Sequence, residues 1–425
     1  MLLSALFISF LVFLLLRFPI ALVLGLSSAV YLLLAGRPLT IIPQRMFAGI
    51  DSFVLLSIPA FILAGNLMNG GGITDRIIRF SNALVGHVRG GLAQTNIAGS
   101  MVFSGISGTA AGDAASLGAV LIPGMHKAGY PLPFSAAVTA ASSTVGPIIP
   151  PSVPMIIVGS ITGISVGQMF LAGAVPGVML GLGMMVTAFI ISVKKGYPRD
   201  PWPGFRVLGR SFVDAIWALL MTFIILFGII SGYFTPTEAA VIAAAYALLV
   251  GMFVYRGLTL RALPKIVIDS AITGAALMLL VGFANTFGWI LTTQQVPRMI
   301  AEWILGVTDN PIIVLLLINL LLLFVGMFME TIAALIILVP PLLAVATSVG
   351  IDPLHFAVIA VLNLMIGLTT PPVGVCLLIC ANIAKVSPLQ VTRAIWPFLL
   401  ANIGILLLVS YIPALSLWLP SLFAR

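Results

Sequence analysis

Two short segments of this chain interrupt an apolar stretch with the same kinds of residue. Residues 142–152 read SSTVGPIIPPS and residues 363–374 read NLMIGLTTPPVG. Each segment combines a glycine, hydroxyl side chains and a Pro-Pro pair, and proline cannot continue the hydrogen-bond ladder of a helix. Because an interrupted spanning helix leaves backbone carbonyls without helical partners, corresponding breaks of this kind indicate the ion or substrate site of a transporter.

The oxygen atoms at such breaks suit a dehydrated Na⁺, which prefers carbonyl and hydroxyl ligands. We therefore predict two sodium cages and no other metal. The first would draw on Ser104, Ser107, Gly108, Thr109, Gly146, Ile149 and Pro151, and the second on Gly326, Met329, Gly367, Thr370 and Pro372. Half-helix N-termini at the same place favour an anionic substrate. The candidate substrate residues are Asp113, Ser142, Ser143, Thr144, Asn363 and Thr369.

The composition places the chain in a membrane. Of its 425 residues 61% are hydrophobic and 7% are charged, whereas a soluble protein carries about 25% charged residues. Apolar stretches such as residues 211–230 and 239–254 approach the ~20 residues that cross the hydrocarbon core as a helix. The net charge of +8 is assigned to cytoplasmic loops rather than to nucleic-acid binding, since no basic stretch contains interleaved aromatic residues. The sequence predicts an all-α polytopic protein of the bacterial inner membrane.

A second interruption precedes each break and predicts a re-entrant hairpin. Residues 91–124 are apolar but contain SGISGTAAGD, and residues 311–347 contain GMFMET. A broken helix follows each hairpin, at residues 134–162 and 355–383. Irregular backbone at membrane depth is tolerated where protein or a water-filled cavity covers it. Alone, a Pro-Pro pair could be a packing kink, and Gly108 with Gly112 could be a small-residue pair that only packs two helices. Neither alternative requires the repeat of hairpin plus broken helix.

The two hairpin-plus-break units are copies of one another. Pro150 and Pro371 lie 221 residues apart. Upstream, Pro123 and Pro340 lie 217 residues apart, and the same offset of 217 pairs Asp113 with Glu330. These two carboxyl groups could bind a cation, relay protons or orient a hairpin tip by accepting backbone N–H bonds. Ionisable groups at membrane depth are usually functional, but the sequence leaves the three roles open.

The loop charges predict the orientation of the copies. Arg89 and Lys127 flank the first hairpin and place its ends in the cytoplasm. Asn310 and Asp352 flank the second hairpin without a basic residue, so it should open outward. The repeat is therefore predicted to be inverted, with a periplasmic N-terminus and with Arg17 facing the cytoplasm.

The breaks and charge clusters together predict the organisation of the chain. The predicted parts are N-terminal scaffold spans (1–68), an interfacial amphipathic arm (69–90), a first transport repeat (91–163), scaffold spans with cytoplasmic arms (164–290), a periplasmic interfacial segment (291–310), a second transport repeat (311–384) and a C-terminal scaffold span (385–425). Residues 195–210 and 259–267 are predicted as two further interfacial arms, and residues 389–417 as one long span.

Three motifs resemble one known family in their order and over essentially the whole chain. GISGTAAGDAA at residues 105–115, GPIIPPS at 146–152 and GLTTPPVG at 367–374 are similar to the large membrane subunit of TRAP transporters, the DctM-type family. The resemblance implies a Na⁺-driven importer of organic acids, of the sialic acid or C4-dicarboxylate class, that works by an elevator mechanism and is not an enzyme. It also implies two protein partners, a small four-helix membrane subunit and a periplasmic substrate-binding protein, within a phospholipid bilayer.

A second class of function rests on the two acidic residues. A stand-alone proton-coupled anion exchanger or channel of similar hairpin architecture would use Asp113 and Glu330 and would need no binding protein. The two classes differ in their coupling ion and in their dependence on a partner.

Overall fold

The computed structural model describes residues 2–16, 18–308 and 310–423 of the chain. Arg17, predicted at a cytoplasmic turn, lies outside these residues, and so do the side chains of residues 105–107, 297, 301, 303–305 and 307. The described residues form helices and no strand. The helices are α1 (Leu2–Leu15), α2 (Ile20–Leu34), α3 (Ile41–Ile50), α4 (Ser57–Gly70), α5 (Ile73–Val85), α6 (Gly91–Ser107), α7 (Ala110–Lys127), α8 (Leu132–Ser143), α9 (Val153–Thr162), α10 (Val166–Lys195), α11 (Phe205–Ile230), α12 (Pro236–Leu249, extended by a π-helical turn, Val250–Val254), α13 (Leu263–Thr293), α14 (Val296–Val307), α15 (Pro311–Gly326), α16 (Thr331–Ser348), α17 (Pro353–Gly367), α18 (Val375–Ala384), α19 (Pro388–Tyr411) and α20 (Ala414–Phe423).

Six of the described helices are long and apolar enough to cross a membrane. They are α10, α11, α12 with its π-helical turn, α13, α16 and α19. Several shorter apolar helices, among them α1, α2, α9 and α18, accompany them. The predicted all-α polytopic architecture is therefore confirmed.

Both predicted hairpins and both broken helices are present. α6 and α7 form the first hairpin and α15 and α16 the second. Residues 144–152 separate α8 from α9, and residues 368–374 separate α17 from α18. Both Pro-Pro peptide bonds in these breaks are cis. The apolar periodicity and the Gly and Pro residues of the sequence therefore predicted each interruption at its observed place.

The two repeats pack into each other reciprocally. α7 of the first repeat packs against α18 of the second, and α16 of the second packs against α9 of the first. In the same way α10 contacts α17 and α19 contacts α8. Each of these contacts between the repeats therefore has an equivalent with the roles of the two repeats exchanged, as an approximate two-fold relation between the copies would produce. Each break is therefore held by elements of both repeats.

The hairpins align in a different register from the predicted one. α7 and α16 each have 18 residues and begin 221 residues apart, directly after Thr109 and Glu330. Thr109 therefore corresponds to Glu330, and the predicted pairing of Asp113 with Glu330 is wrong. The misleading prolines, Pro123 and Pro340, both lie inside these helices and are not equivalent. The first residues of a helix define its register because its intrahelical hydrogen bonds start there.

Other segments differ from the sequence-based expectations. Residues 195–210 do not form one arm, because α10 ends at Lys195 and α11 begins at Phe205. Residues 259–267 overlap the start of α13, which is continuous with the span that follows. The single C-terminal span is divided into α19 and α20 at Pro413, a residue that cannot donate the helical hydrogen bond. α3 was not predicted.

Candidate functional site

The tip of the first hairpin lies against the first break. A Cβ atom placed on Gly108 would lie 3.3 Å from the carbonyl oxygen of Pro151, and one placed on Gly146 would lie 1.8 Å from Oδ2 of Asp113. Only glycine fits at Gly146, because any larger residue would displace the Asp113 carboxyl group. The structure therefore brings together Gly108, Gly146 and Pro151, three of the residues predicted for the first cage, with Asp113 beside them.

The first break leaves backbone carbonyls without hydrogen-bond donors. The carbonyl oxygens of Gly146, Ile149 and Pro151 accept no hydrogen bond from the described part of the chain. Ser152 caps α9 by accepting the N–H of Met155 at 3.2 Å. Buried carbonyls almost always have a partner, so these three oxygens form a chemically suitable set for a cation.

The second tip meets the second break through two glycines. A Cβ atom on Gly367 would lie 2.7 Å from the Cα atom of Gly326, and one on Gly326 would lie 3.1 Å from the Cα atom of Gly367. Two backbones approach this closely only when neither residue has a side chain. The end of α15 is thereby placed directly at the end of α17, which unites Gly326 and Gly367 of the predicted second cage.

The second break offers oxygen atoms of the same kind. The carbonyl oxygens of Gly326, Met329, Thr370 and Pro372 accept no hydrogen bond within the described residues. The Thr370 hydroxyl donates to the carbonyl of Ile366 at 2.9 Å, which leaves its lone pairs available as a ligand. The Gly367 carbonyl accepts the N–H of Thr370 at 2.9 Å and retains a second lone pair.

Glu330 begins α16 and caps it. One of its carboxyl oxygens accepts the backbone N–H of Ala333 at 3.1 Å. Of the three roles that the sequence left open for Glu330, orientation of a hairpin tip by accepting backbone N–H bonds is the one that this contact supports. Asp113 differs, because it lies in the first turn of α7 with its carboxyl group against Gly146.

A cavity of about 430 Å³ lies between the two tips. The first turns of four helices line it, at Ala110 of α7, Val153 of α9, Thr331 of α16 and Val375 of α18. A helix N-terminus carries unpaired N–H groups and a partial positive charge, and so it binds anions. The hydroxyl of Thr331 has no hydrogen-bond partner among the described residues although its side chain is 2% exposed.

The opposite wall of the cavity belongs to helices outside the repeats. Asn66 and Asn69 of α4 and Thr273 of α13 line it. Asn69 donates to Ser116 of α7 at 3.0 Å, and Asn66 donates to Ser270 of α13 at 2.8 Å. Sequence reasoning missed these wall residues. The signal available was a pair of amides three residues apart on one face of an apolar helix.

None of the predicted substrate residues, Asp113 included, lines this cavity. Ser142, Ser143, Thr144 and Asn363 are fully buried in helix packing, and Thr369 is 1% exposed. Of the predicted site residues, Gly108 and Thr109 line the cavity, and the other predicted cage residues do not line it. Ser104 is buried and donates to the carbonyl of Met101, whereas the side chain of Ser107 is outside the described residues.

Comparison with known proteins gives consistent matches over most of the chain. The family model of the DctM component of tripartite ATP-independent periplasmic transporters matches residues 7–415. The chain is 45% identical over 380 residues to the sialic acid TRAP transporter large permease protein SiaM of Vibrio cholerae, covering 89% of each protein. It is 41% identical to the C4-dicarboxylate TRAP transporter large permease protein DctM of Pseudomonas aeruginosa, covering 94% of this chain and 93% of that one.

Two more distant similarities extend this result. The chain is 37% identical to the 2,3-diketo-L-gulonate TRAP transporter large permease protein YiaN of Escherichia coli, covering 92% of this chain and 94% of that one. Its fold is similar to the crystal structure of the Alcanivorax borkumensis YdaH transporter, with a TM-score of 0.58, 14% sequence identity and coverage of 87% and 88% of the two chains. At that identity the likeness concerns the fold alone.

Proposed function

The chain belongs to the family of DctM components of tripartite ATP-independent periplasmic transporters, the large permeases of these systems, and we propose that it imports small organic acids across the bacterial inner membrane with Na⁺ as coupling ion. A member of this family is a transporter permease and not an enzyme. We also propose that the chain works by an elevator movement, with a small membrane subunit and a periplasmic binding protein as partners.

One observation carries the proposal, namely the convergence of four helix N-termini on the cavity between the tips. Among the described residues that line this cavity there is no Lys, Arg or His. A substrate carboxylate would therefore be bound by backbone N–H groups, by the hydroxyl of Thr331 and by the field of the helix ends. α18 begins after Gly374, which has no side chain to cap the helix.

Sodium is the second element of the proposal. The cages would use the carbonyls of the two breaks that accept no hydrogen bond within the described residues, with the Thr370 hydroxyl as a further ligand. Two bound cations would offset the charge of an anionic substrate in a site without basic side chains. Coupling would follow, because the affinity for the acid would then depend on occupancy of the cages.

We place the cavity at the boundary between a moving and a fixed unit. Helices α7, α9, α16, α17 and α18 of the two repeats line one side of the cavity, and α4 and α13 line the other. In an elevator mechanism the repeats would carry the substrate past these two helices. The proposed partners are the small four-helix subunit and a periplasmic binding protein that delivers the acid, and the proposed N-terminus is periplasmic.

The decisive test is reconstitution of the purified chain with its small subunit and binding protein in liposomes. Uptake of the acid should follow an imposed inward Na⁺ gradient and should stop when choline replaces Na⁺. Uptake that persists without Na⁺ would contradict the proposal. Uptake that needs no binding protein and is abolished by Asp113→Asn would instead support a proton-coupled exchanger.

A further inference from the structure

A buried hydrogen bond joins the first hairpin to the first broken helix. Ser100 of α6 donates to Ser142 of α8, with 2.9 Å between the two hydroxyl oxygens. Ser142 in turn donates to Oδ1 of Asn96 at 3.1 Å. All three side chains have no exposed surface. A second buried hydrogen bond between the same two helices lies nearby, from the amide nitrogen of Asn96 to the hydroxyl of Thr139 at 2.6 Å.

The second repeat contains a corresponding contact. The amide nitrogen of Asn363 in α17 donates to both Oδ1 and the backbone oxygen of Asn319 in α15, each at 2.9 Å. Asn319 donates to Ser410 of α19 at 3.0 Å. Asn363 is fully buried and Asn319 is 3% exposed.

The two contacts occupy equivalent places in the repeats. Ser142 and Asn363 lie 221 residues apart, and each stands four residues before the glycine of its break, Gly146 or Gly367. Ser142 is next to the last residue of α8, and Asn363 lies in the last turn of α17, which ends at Gly367. Their partners, Ser100 and Asn319, each lie seven residues before the last residue of the first hairpin helix.

We propose that these pairs, Ser100–Ser142 and Asn319–Asn363, are positioning residues for the two sodium cages. Each pair fixes the distance between a hairpin and a broken helix four residues before the glycine of its break. This inference rests on the proposed sodium coupling. A cation site tolerates displacement of its ligands by only about 0.5 Å, and buried polar partners that orient ligands typically change metal affinity by about 10–100-fold when they are removed.

The test is a titration of the purified full-length chain with Na⁺ in detergent, in which the unfolding temperature is measured at each Na⁺ concentration. Choline keeps the ionic strength constant. In Asn363→Ala the Na⁺ concentration that gives half of the stabilisation should rise about tenfold. The double substitution Asn319→Ser with Asn363→Ser recreates the pair of the first repeat and should recover most of the affinity. A merely structural contact would lower the unfolding temperature in choline without moving the half-saturating concentration.

Asn402→Ala is the matched control, because Asn402 is also fully buried but lies in α19, outside the hairpins and breaks, and its amide has no partner within the described residues. Its sodium titration should equal that of the wild type. An unchanged titration in Asn363→Ala, or an equal shift in Asn402→Ala, would overturn the inference. If the wild type itself shows no stabilisation by Na⁺, then the proposed sodium coupling fails rather than the assignment of these pairs.

Discussion

At the scale of single residues, Thr370 tests whether a hydroxyl contributes to the second cage. Its oxygen donates to the carbonyl four residues earlier at 2.9 Å, so its lone pairs can bind a cation. We expect Thr370→Ala to raise the Na⁺ concentration for half-maximal uptake about tenfold, because one ligand is lost. Thr187→Ala is the control, since Thr187 in α10 makes the same contact with Gly183 at 2.9 Å. Equal sodium activation in both variants would exclude Thr370 as a ligand.

Glu330 makes the two hairpin tips chemically unequal. It stands where the first repeat has Thr109, and its carboxyl group lines the cavity while it caps α16. Where Glu330 is ionised, its repulsion of a substrate carboxylate ~10 Å away costs about 1.7 kcal/mol at an effective dielectric constant of ~20. We expect Glu330→Thr to tighten the binding of succinate roughly tenfold, while the new residue can still cap the helix.

The binding of succinate can be followed by its stabilisation of the purified chain in saturating Na⁺. Asp352→Thr is the matched control, because Asp352 caps α17 by accepting the N–H of His355 at 3.0 Å but does not line the cavity. The control should bind succinate as the wild type does. If Glu330→Thr binds succinate no better than Asp352→Thr, the carboxyl group of Glu330 does not repel the substrate.

At the scale of elements, the contact of α15 with α17 depends on the absence of a side chain. A methyl group on Gly367 would lie 2.7 Å from the backbone of Gly326, so Gly367→Ala must push the second hairpin away from the break. We expect a loss of about 1–3 kcal/mol of stability together with loss of sodium activation. Gly404→Ala in α19 is the control, because nothing lies within 4 Å of the added atom. Sodium activation that survives Gly367→Ala would show that the tip contact is dispensable.

The elements themselves were largely predictable, since their ends depend on local chemistry. α17 ends at Gly367, α8 ends three residues before Gly146, and a Pro-Pro pair lies in each of the two breaks, so the interruptions are visible in the sequence. The register of the hairpins was not predictable from prolines, because a proline inside a helix such as Pro123 gives no information about where the helix begins. The cavity wall at Asn66 could not be predicted, since contact between α4 and the repeats depends on packing over long sequence separations.

At the scale of the whole molecule, the elevator proposal requires the repeats to slide past α4 and the loop before it. One hydrogen bond crosses this boundary away from the central cavity, between the hydroxyls of Ser52 and Ser160 at 3.2 Å. Ser52 precedes α4, and Ser160 lies in α9 of the first broken helix. A covalent bond at this place would prevent relative movement of the two units without contacting the substrate.

We therefore expect oxidation of the variant Ser52→Cys with Ser160→Cys to abolish uptake, and reduction to restore it. The control is Met46→Cys with Gly282→Cys, which joins α3 to α13 where a Cβ atom on Gly282 would lie 3.4 Å from Cβ of Met46, so that both halves of the bond belong to the fixed unit and neither lines the cavity. Oxidation of that variant should leave uptake intact. Because Cys376 and Cys380 are buried, they should not compete for the oxidant. Uptake that continues while a disulfide bond joins positions 52 and 160 would mean that α9 does not move against α4. The elevator mechanism would then be wrong for this transporter.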